Sequence, residues 1–416
     1  MRFDYTVPGV YTQDVVLKPA PGLLTGVPGF VGFLDPKAQR DLLFQRPLAS
    51  GPGGAALPYQ PLALQRRDEF AARFEGGPVG YLSDVVTAFF MNGGTRCYVV
   101  FAEYNDRSNE RAVASLTKAL DALAALDDLD LVAVPDVQAL RLPDGGVDFD
   151  SITRAQRAVL EHCAAQGDRF AVLDALPAQT PQGVLKQRDA LTRGVAEPVN
   201  GALYYPWLKV SQSLPGAGTA ADSHEGAVKL VPPCGHVAAV YARSDARVGV
   251  HKAPANEELA GVVDLESPVT DAVQGELNPA GVNCLRAFPG RGIRVWGART
   301  LSRDPQWRYV NVRRLFITLA RWVELSMGWA ALEPNTPALW VHIRRELDAY
   351  LSKLWQAGAL VGQTPEQAYY VKCDSDTNPP EAREAGRVVT EVGLATSAPA
   401  EYVVVRITHR IGAEPR

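Results

Sequence analysis

The chain has 416 residues and a formal net charge of −4, from 42 Lys and Arg against 46 Asp and Glu. This length exceeds what a single hydrophobic core usually holds and predicts two or three domains. A hydrophobic fraction of 47% and a charged fraction of 21% are typical of a globular protein. The near balance of charge gives no general attraction to nucleic acid or to an anionic membrane. The longest apolar run, residues 315–320, is too short to span a bilayer.

Residues 1–22 are predicted to form an arm. The segment from Val10 to Leu17 is rich in β-branched residues and is bounded by Pro8-Gly9 and Pro19. No hairpin partner lies near it, and a lone terminal strand has to pair with a distant strand or with another chain. The start of the chain carries Asp4 and lacks an apolar signal core, so we expect no secretory signal.

Residues 27–103 are predicted to form a small mixed region, in which Val27–Leu34 is apolar and Arg96–Ala102 is a strand. From about residue 110 to residue 280 short apolar strands alternate with amphipathic helices, a pattern that favours a parallel sheet covered on both faces. The strands predicted there are Leu129–Pro135, Arg169–Leu176 and Ala202–Val210. The predicted helices are Tyr81–Met91, ending at an Asn-Gly-Gly C-cap, Glu110–Ala125, Thr153–Gln166 and Gln182–Arg193. Residues 211–225 show no apolar periodicity and are predicted to be a surface loop.

The last third of the chain changes character. Two helices are predicted over Val310–Trp329 and Ala338–Gln356. Strands are predicted over Ala368–Cys373, Arg387–Ala395 and Glu401–Ile411, and in the last of these the apolar and polar residues alternate.

The sequence contains no nucleotide-binding motif, because both the P-loop pattern and G-x-G-x-x-G between a strand and a helix are absent. The five cysteines are scattered, which is not typical of a disulfide scaffold or a four-cysteine zinc site. The cluster of His224, Glu225, Cys234 and His236 lacks the paired spacing of zinc ligands. We therefore predict no metal and no cofactor, and we interpret Cys234 and His236 as the start of a helix with a solvated imidazole.

No nucleophile motif is present either. G-x-S-x-G is absent, and the string nearest to a subtilisin-type Gly-Thr-Ser turn is Gly218-Thr219-Ala220, with alanine in place of the serine. The residues thus predict an interaction protein with no catalytic residue and no small-molecule substrate.

Several long strings, in the correct order, resemble contractile tail sheath proteins. VPGVYTQDV and TGVPGFVGF resemble the opening of that family, and VPPCGHVAAVYARSDARVGVHKAPAN resembles the end of its central domain. LNPAGVNCLRAFPGRGIRVWGARTLSRDPQWRYVNVRRLF and APAEYVVVRITHR resemble its C-terminal part. The chain is thus similar to the sheaths of contractile phage tails, R-type pyocins and phage-tail-like injection systems over nearly its whole length.

The resemblance implies an α/β fold with a subtilisin-like outer domain over residues 23–280, which includes a small N-terminal mixed part. It implies an inner, tube-facing α+β domain over residues 281–398 and donor-strand arms over residues 1–22 and 399–416. It also implies a non-enzymatic subunit of a helical sheath that contracts from an extended metastable state and drives an inner tube through a target envelope. The implied partners are other copies of the chain, the tube protein, and baseplate and terminal cap proteins, with no nucleic acid. Assembly is expected in the cytoplasm, and whether the particle is released or membrane-anchored is left open.

In such a lattice each arm is expected to add a strand to a neighbour's sheet and to move on Pro/Gly joints at residues 19–22 and near Pro399. The residues predicted to form the inter-subunit strands are Val10, Tyr11, Thr12, Gln13, Val15, Leu17, Tyr402, Val403, Val405 and Ile407. The alternative that both strands pair within their own chain stays open.

The tube contact is predicted on the helix Val310–Trp329. Arg314 and Arg321 lie seven residues apart and so share a face, with Arg313 beside them. This basic face is expected to meet a negatively charged tube wall. The rival functions are a static filament without contraction and a hydrolase whose activity depends on His236.

Overall fold

The computed structural model describes residues 23–34, 58–73, 80–104, 108–195, 198–211, 228–399 and 401. The strand predicted over residues 10–17, the residues of the terminal strand after Glu401, and nearly all of the loop predicted over residues 211–225 lie outside the described residues.

The described strands form a nine-stranded sheet, a three-stranded sheet and a two-stranded sheet. In chain order they are β1 (Pro28–Leu34), β2 (Leu62–Leu64), β3 (Cys97–Glu103), β4 (Leu131–Ala133), β5 (Phe170–Asp174), β6 (Gly201–Tyr205), β7 (Leu208–Ser211), β8 (Val228–Val231), β9 (Glu257–Glu258), β10 (Val262–Leu265), β11 (Val282–Phe288), β12 (Gly292–Val295), β13 (Tyr369–Lys372) and β14 (Glu391–Leu394).

The described helices connect these strands and cover the large sheet. In chain order they are α1 (Arg67–Arg73), α2 (Leu82–Met91), α3 (Asn109–Leu123), α4 (Phe149–Gln166), α5 (Pro181–Thr192), α6 (Cys234–Arg247), α7 (Asp271–Leu277), α8 (Val310–Ser326), α9 (Pro337–Gln356), α10 (Pro365–Ala368) and α11 (Pro380–Glu384).

The large sheet has the strand order β2-β3-β1-β4-β5-β6-β11-β12-β9. The six strands from β3 to β11 are parallel, and the antiparallel strands β2, β12 and β9 lie at its two ends. The predicted parallel sheet is confirmed. The predicted α/β class is confirmed as well, whereas the subtilisin-like shape of the outer domain stays a prediction.

Both faces of this sheet are buried, because successive side chains of a strand point to opposite sides. In β1, Val31 and Phe33 lie in a core with residues of α3, α4 and α5. Phe30, from the same strand, lies in a second core with residues of α2 and α6. The second core also contains Val310 and Ile317 of α8, so this helix is packed against the central sheet.

Capping residues define the ends of the helices that cover the sheet. The N-terminus of α4 is capped by Asp148, whose side chain accepts a hydrogen bond from the backbone N–H of Ser151 at 3.0 Å. The helix ends at Gly167, which has a φ of +74° that glycine adopts without strain. The C-cap predicted after α2 is confirmed, since the N–H of Gly94 donates to the carbonyl of Phe89 at 2.9 Å.

Three predicted features differ from the structure. The strand predicted over Ala202–Val210 is two strands, β6 in the large sheet and β7 in the three-stranded sheet β10-β7-β8, with Pro206 between them. Proline has no N–H for a continuous ladder, which fits the break. The large sheet also continues past the predicted domain boundary at residues 280 and 281, because β11 pairs with β6 and β12 pairs with β11. Finally, the solvated imidazole predicted for His236 is wrong, since this side chain is buried on α6.

Candidate functional site

The three arginines predicted to contact a tube lie on α8, and the structure buries two of them. Arg314 is 2% exposed and Arg321 is 3% exposed. Arg314 donates hydrogen bonds to the two carboxylate oxygens of Asp245 at 2.9 and 2.6 Å and to Oδ2 of Asp130 at 2.9 Å. The prediction that these side chains share an exposed basic face is therefore wrong.

Asp130 connects this ion-pair cluster to the beginning of β1. Its two carboxylate oxygens also accept hydrogen bonds from the backbone N–H groups of Gly26 and Val27 at 3.0 and 2.7 Å. Burial alone would lower the pKa of Arg314, but the carboxylates of Asp245 and Asp130 outweigh this effect and raise it. We call Arg314, Asp130 and Asp245 the interior clamp, because they attach α8 to the central sheet.

The other two predicted positions also make intramolecular contacts. Arg321 donates to the backbone carbonyls of Leu24 and Asp127 at 3.0 and 3.1 Å. Arg313 is half-buried, and its guanidinium lies over the ring of Trp307, 5.1 Å from the ring centroid. In the described chain the basic residues of α8 therefore hold the subunit together.

An exposed basic face is found on the next helix, α9. Arg344, Arg345 and Lys353 are exposed, and none of the three forms a salt bridge with another described residue. The opposite side of α9 is a buried stripe at helical spacing formed by Leu339, Ile343, Leu347 and Leu351.

The two acidic residues of α9 offset only part of this positive charge. Glu346 is engaged on the flank of the helix, where it accepts a hydrogen bond from the indole of Trp329 and lies 3.2 Å from the imidazole of His342. Asp348 is half-buried, and burial raises its pKa although Arg344 acts in the opposite direction. Three cations and two carboxylates leave α9 with a formal charge of +1, and all three cations are exposed.

The two-stranded sheet of β13 and β14 packs on α9. The strands are antiparallel, with Tyr370 opposite Gly393 and Val371 opposite Val392. Among the described residues no third strand joins this sheet. An isolated two-stranded sheet is only marginally stable in water, so the unpaired edges are candidate positions for further strands.

The two faces of this sheet differ. Val371 and Val392 pack against the apolar cluster that contains Leu347 of α9. On the other face the side chain of Tyr370 is 58% exposed and its ring lies across Gly393, where an added Cβ would come within 2.0 Å of a ring carbon. A further strand in this sheet would need an apolar face toward α9 and a polar face toward solvent.

The chain after β14 is held at two points. The buried side chain of Asn311 donates to the carbonyl of Ser397 at 3.1 Å. Beyond it, the carboxylate of Glu401 accepts two hydrogen bonds from Arg299, one of them from Nε at 2.8 Å. The joint predicted near Pro399 is therefore fixed on both sides. We call residues 395–399 together with Glu401 the C-terminal strap.

The residues considered for catalysis lie in the interior. Cys234 is fully buried at the start of α6, and burial raises the pKa of its thiol well above the usual value. Burial lowers the pKa of His236 to about 4 and raises the pKa of Asp174, a hydrogen-bond partner of Cys234, to about 7. A buried neutral thiol is a poor nucleophile.

The described residues contain no group of His, Cys, Asp and Glu side chains arranged to hold a metal ion. None of the described helices is long and apolar enough to cross a membrane.

The residues predicted for the inter-subunit strands lie outside the described part of the chain. Sequence reasoning missed their candidate acceptor, β13 and β14, although it predicted strands close to both. It also assigned the basic face to the wrong helix. The buried stripe of α9, read at helical spacing, places Arg345 and Lys353 on the opposite side and was the signal that could have identified this face.

Two family models match adjoining parts of the chain. The phage tail sheath protein central domain matches residues 109–301, and the phage tail sheath C-terminal domain matches residues 302–410.

Comparison with individual proteins also shows similarity to sheath proteins. A putative prophage major tail sheath protein of Pseudomonas aeruginosa is 26% identical over 45% of this chain, and the chain spans 48% of that protein's length. The sheath complex of an extracellular contractile injection system, PVC, in the contracted state is 28% identical with a TM-score of 0.71, covering 99% of each chain. The helical sheath of the anti-feeding prophage in the contracted state is 29% identical with a TM-score of 0.69, covering 97% of this chain and 99% of the other.

Proposed function

Because this chain belongs to the phage tail sheath family of contractile sheath subunits, we propose that it builds a helical sheath whose contraction drives an inner tube through a target envelope. The observation that carries the proposal is the two-stranded sheet of β13 and β14, which pairs with no other described strand and has one apolar face on α9. A helical lattice requires one heterologous contact repeated without closure, and strand addition to an open sheet is such a contact.

The terminal strand has the pattern that this acceptor needs. Val405 and Ile407 alternate with Arg406 and Thr408, and Val403 belongs to the same apolar set. In a strand added to β13 or β14, the apolar set would extend the surface of Val371 and Val392 over α9, and the polar set would face solvent. The strand around residues 10–17 is the second donor, so that each subunit is linked to more than one neighbour.

The exposed face of α9 is the proposed contact with the tube. Its exposed cations, Arg344, Arg345 and Lys353, suit a tube wall of negative charge. Contacts between exposed charges are individually weak and are screened by salt, which allows the tube to be released when the sheath contracts. In this proposal the partners are the tube, baseplate and terminal cap proteins. Assembly takes place in the cytoplasm.

The energy for contraction comes from assembly in this proposal. The extended lattice is kinetically trapped and relaxes to a contracted lattice with more contacts between subunits. The subunit itself acts without catalysis, which agrees with the buried state of Cys234 and His236. Purified extended particles should therefore contract without added nucleotide.

The acceptor is tested by electron microscopy of the protein expressed alone. A proline at Val405 removes a backbone N–H from the predicted strand, and the matched control is Glu414→Pro, beyond that strand. We expect tubes from the wild type and from Glu414→Pro, and folded unassembled subunits from Val405→Pro. Tubes from all three proteins would contradict the proposed strand addition. A single lattice state under all triggering conditions would favour a static filament.

The tube contact is tested by charge reversal on α9. The triple variant is Arg344→Glu, Arg345→Glu and Lys353→Glu. A control with the same change of charge on exposed positions of α3 and α5 is Arg111→Glu, Lys118→Glu and Lys186→Glu. Coexpressed with the tube protein of the same particle, the α9 variant should form sheaths that lack a tube, and the control should enclose one. Equal tube occupancy in the two variants would exclude α9 as the contact.

A further inference from the structure

A groove rich in arginine lies where the two matched parts of the chain meet. It has a volume of about 530 Å³ and is lined by residues of α5, by residues 279–281 after α7, and by residues between positions 299 and 308 before α8. The match to the central domain ends at residue 301 and the match to the C-terminal domain begins at residue 302, so both parts contribute. Ligand sites commonly have such a volume and lie at domain junctions. We call this feature the arginine groove.

The charged lining of the arginine groove is mainly positive. It consists of one carboxylate and four guanidinium groups, those of Asp189, Arg188, Arg299, Arg303 and Arg308. Arg299 is already neutralised by its ion pair with Glu401 of the C-terminal strap. The remaining three cations and one carboxylate leave a net charge of +2 on the lining, which favours an anion in the groove.

Arg188 is buried in this lining, and its hydrogen bonding is incomplete. The residue is 4% exposed. Its Nη1 donates to the carboxylate of Asp189 at 3.0 Å, and its Nη2 donates to the carbonyl of Leu301 at 3.4 Å. Its Nε is buried and has no hydrogen-bond partner among the described residues. Buried donors normally have an acceptor, so this guanidinium has capacity for a further anionic oxygen.

The segment before α8 supplies two exposed guanidinium groups. Arg303 lies 3.4 Å from the carboxylate of Asp189, and Arg308 forms no salt bridge with another described residue. The backbone of this segment is fixed, because the N–H of Thr300 donates to the carbonyl of Arg308 at 2.8 Å and its hydroxyl donates to the carbonyl of Trp307 at 2.6 Å. The position of both arginines along the groove is thus defined before a ligand binds.

We propose that the arginine groove binds a doubly charged phosphate group, either free phosphate or the phosphate of a small phosphomonoester. Guanidinium groups match phosphate oxygens in bidentate geometry. A phosphate group with a charge near −2 neutralises the lining, whereas a single carboxylate would compensate only half of it. The site uses side chains from separate segments and no glycine-rich loop, in agreement with the absence of a P-loop motif from the sequence. A bound phosphate would link α5 to the segment that leads into α8.

The test is isothermal titration calorimetry of the full-length protein at pH 7.5 and constant ionic strength. The probes are inorganic phosphate and glycerol 3-phosphate. The groove variant combines Arg303→Gln with Arg308→Gln, and both side chains are exposed, so the fold should be retained. The control combines Arg383→Gln with Arg387→Gln, which removes the same charge from exposed positions outside the groove.

We expect one phosphate per subunit in the wild type and the control, and an affinity weaker by about tenfold or more in the groove variant. Asp189→Asn removes the competing carboxylate and should bind phosphate about two- to fivefold more tightly than wild type. A folding defect would not produce such a gain. Phosphate should also slow hydrogen exchange of residues 299–308 in the wild type but not in the groove variant. Tighter binding of glycerol 3-phosphate than of inorganic phosphate would identify the ligand as a phosphomonoester, and equal affinity would identify free phosphate.

Three results would overturn the inference. The first is the absence of phosphate binding by the wild type. The second is equal affinity in the groove variant and the control, which would place the anion elsewhere on the protein. The third is binding of a tetra-aspartate peptide by a wild type that ignores both phosphate probes, which would make the groove a contact for an acidic protein segment. The proposed function is unaffected by any of these results, because it depends on β13, β14 and α9.

Discussion

The central sheet and the two-stranded sheet on α9 differ in how far a single chain completes them. In the central sheet β1, β4, β5 and β6 are buried along their whole length, with helices on both faces. In β13 and β14 most residues are only half-buried, one face meets α9, and no third strand joins among the described residues. The strands of the first region are covered within the described chain, whereas the second region is the proposed site at which neighbouring subunits add strands. Stability measurements on isolated and assembled subunits should therefore separate the two regions.

The largest loss in free energy of unfolding is expected at the interior clamp. We count the clamp in the first region because it attaches α8 to the central sheet. Arg314→Met leaves Asp130 and Asp245 buried without their cation and should lower the free energy of unfolding by about 3–5 kcal/mol. Urea unfolding of the unassembled subunit measures this. The control, Arg344→Met on exposed α9, should change stability by no more than about 0.5 kcal/mol. Similar values for the two variants would show that Arg314 is not an interior group.

Apolar truncations in the two sheets sharpen the comparison. Leu203→Ala, at a fully buried site of β6, should cost about 2–5 kcal/mol in the isolated subunit. Val371→Ala, at a half-buried site of β13, should cost about 1 kcal/mol or less there. In assembled tubes, where a donated strand would cover this site, thermal unfolding should show a larger loss for Val371→Ala. An equal loss before and after assembly would mean that β13 is already complete in the free subunit.

Acid should destabilise the first region through His236. Its pKa is lowered by burial from 6.5 to about 4, so the unfolded chain binds a proton below pH 6.5 that the folded chain does not bind until about pH 4. The stability associated with neutral His236 is therefore present above pH 6.5 and lost as the pH falls toward 4, by roughly 3 kcal/mol.

The check is the difference in unfolding free energy between pH 7 and pH 4.5, compared between variants. Burial raises the pKa of Asp136 and Asp174 to about 7, which acts in the opposite direction and is common to all variants. His236→Gln should lose less stability on acidification than wild type, whereas His342→Gln, at a half-exposed site on α9, should not. Parallel pH profiles for His236→Gln and wild type would rule out His236 as the acid-sensitive group.

The smallest change in free energy of unfolding is expected in the second region, at Gly393, which is covered by the ring of Tyr370. Gly393→Ala places a Cβ against the ring, and moving the ring should cost about 1 kcal/mol. In a Tyr370→Ala background this cost should vanish, which a double-mutant cycle of unfolding measures. Gly275→Ala, in α7 with open space around the new Cβ, should be neutral or slightly stabilising. An unchanged cost without the ring would mean that the backbone, and not Tyr370, requires glycine.

In both regions the sequence predicted secondary-structure elements better than tertiary contacts. Strands such as Phe170–Asp174 and helices such as Asn109–Leu123 were predicted because burial on one or both faces leaves a local period in the sequence. The partners of Arg314 could not be predicted in this way, because Asp245 and Asp130 lie 69 and 184 residues away in the chain. Spacing shows which residues share a helix face but not whether that face meets water or a buried carboxylate.

Charge counting failed on α9 for a related reason. Glu346 and Asp348 offset two of the three cations in the sequence, yet Glu346 contacts His342 and Trp329, Asp348 is half-buried, and all three cations are exposed. His236 was expected to be solvated because of its polarity, whereas the packing of α6 on the central sheet buries it. In each case a tertiary contact, absent from local sequence, decided the environment of the side chain.

The interior clamp also affects the mechanics of the subunit. A force applied to α8 is transmitted through Arg314 and Asp130 to the backbone just before β1. A second path runs through the hydrogen bond from the N–H of Val310 to the carbonyl of Ala298, in the segment after β12. These contacts predict that the sheet and this helix move together as a stiff lever. In the proposed extended lattice, elastic energy would then reside in the joints between subunits, and the length of the stroke would depend on how the subunits are arranged.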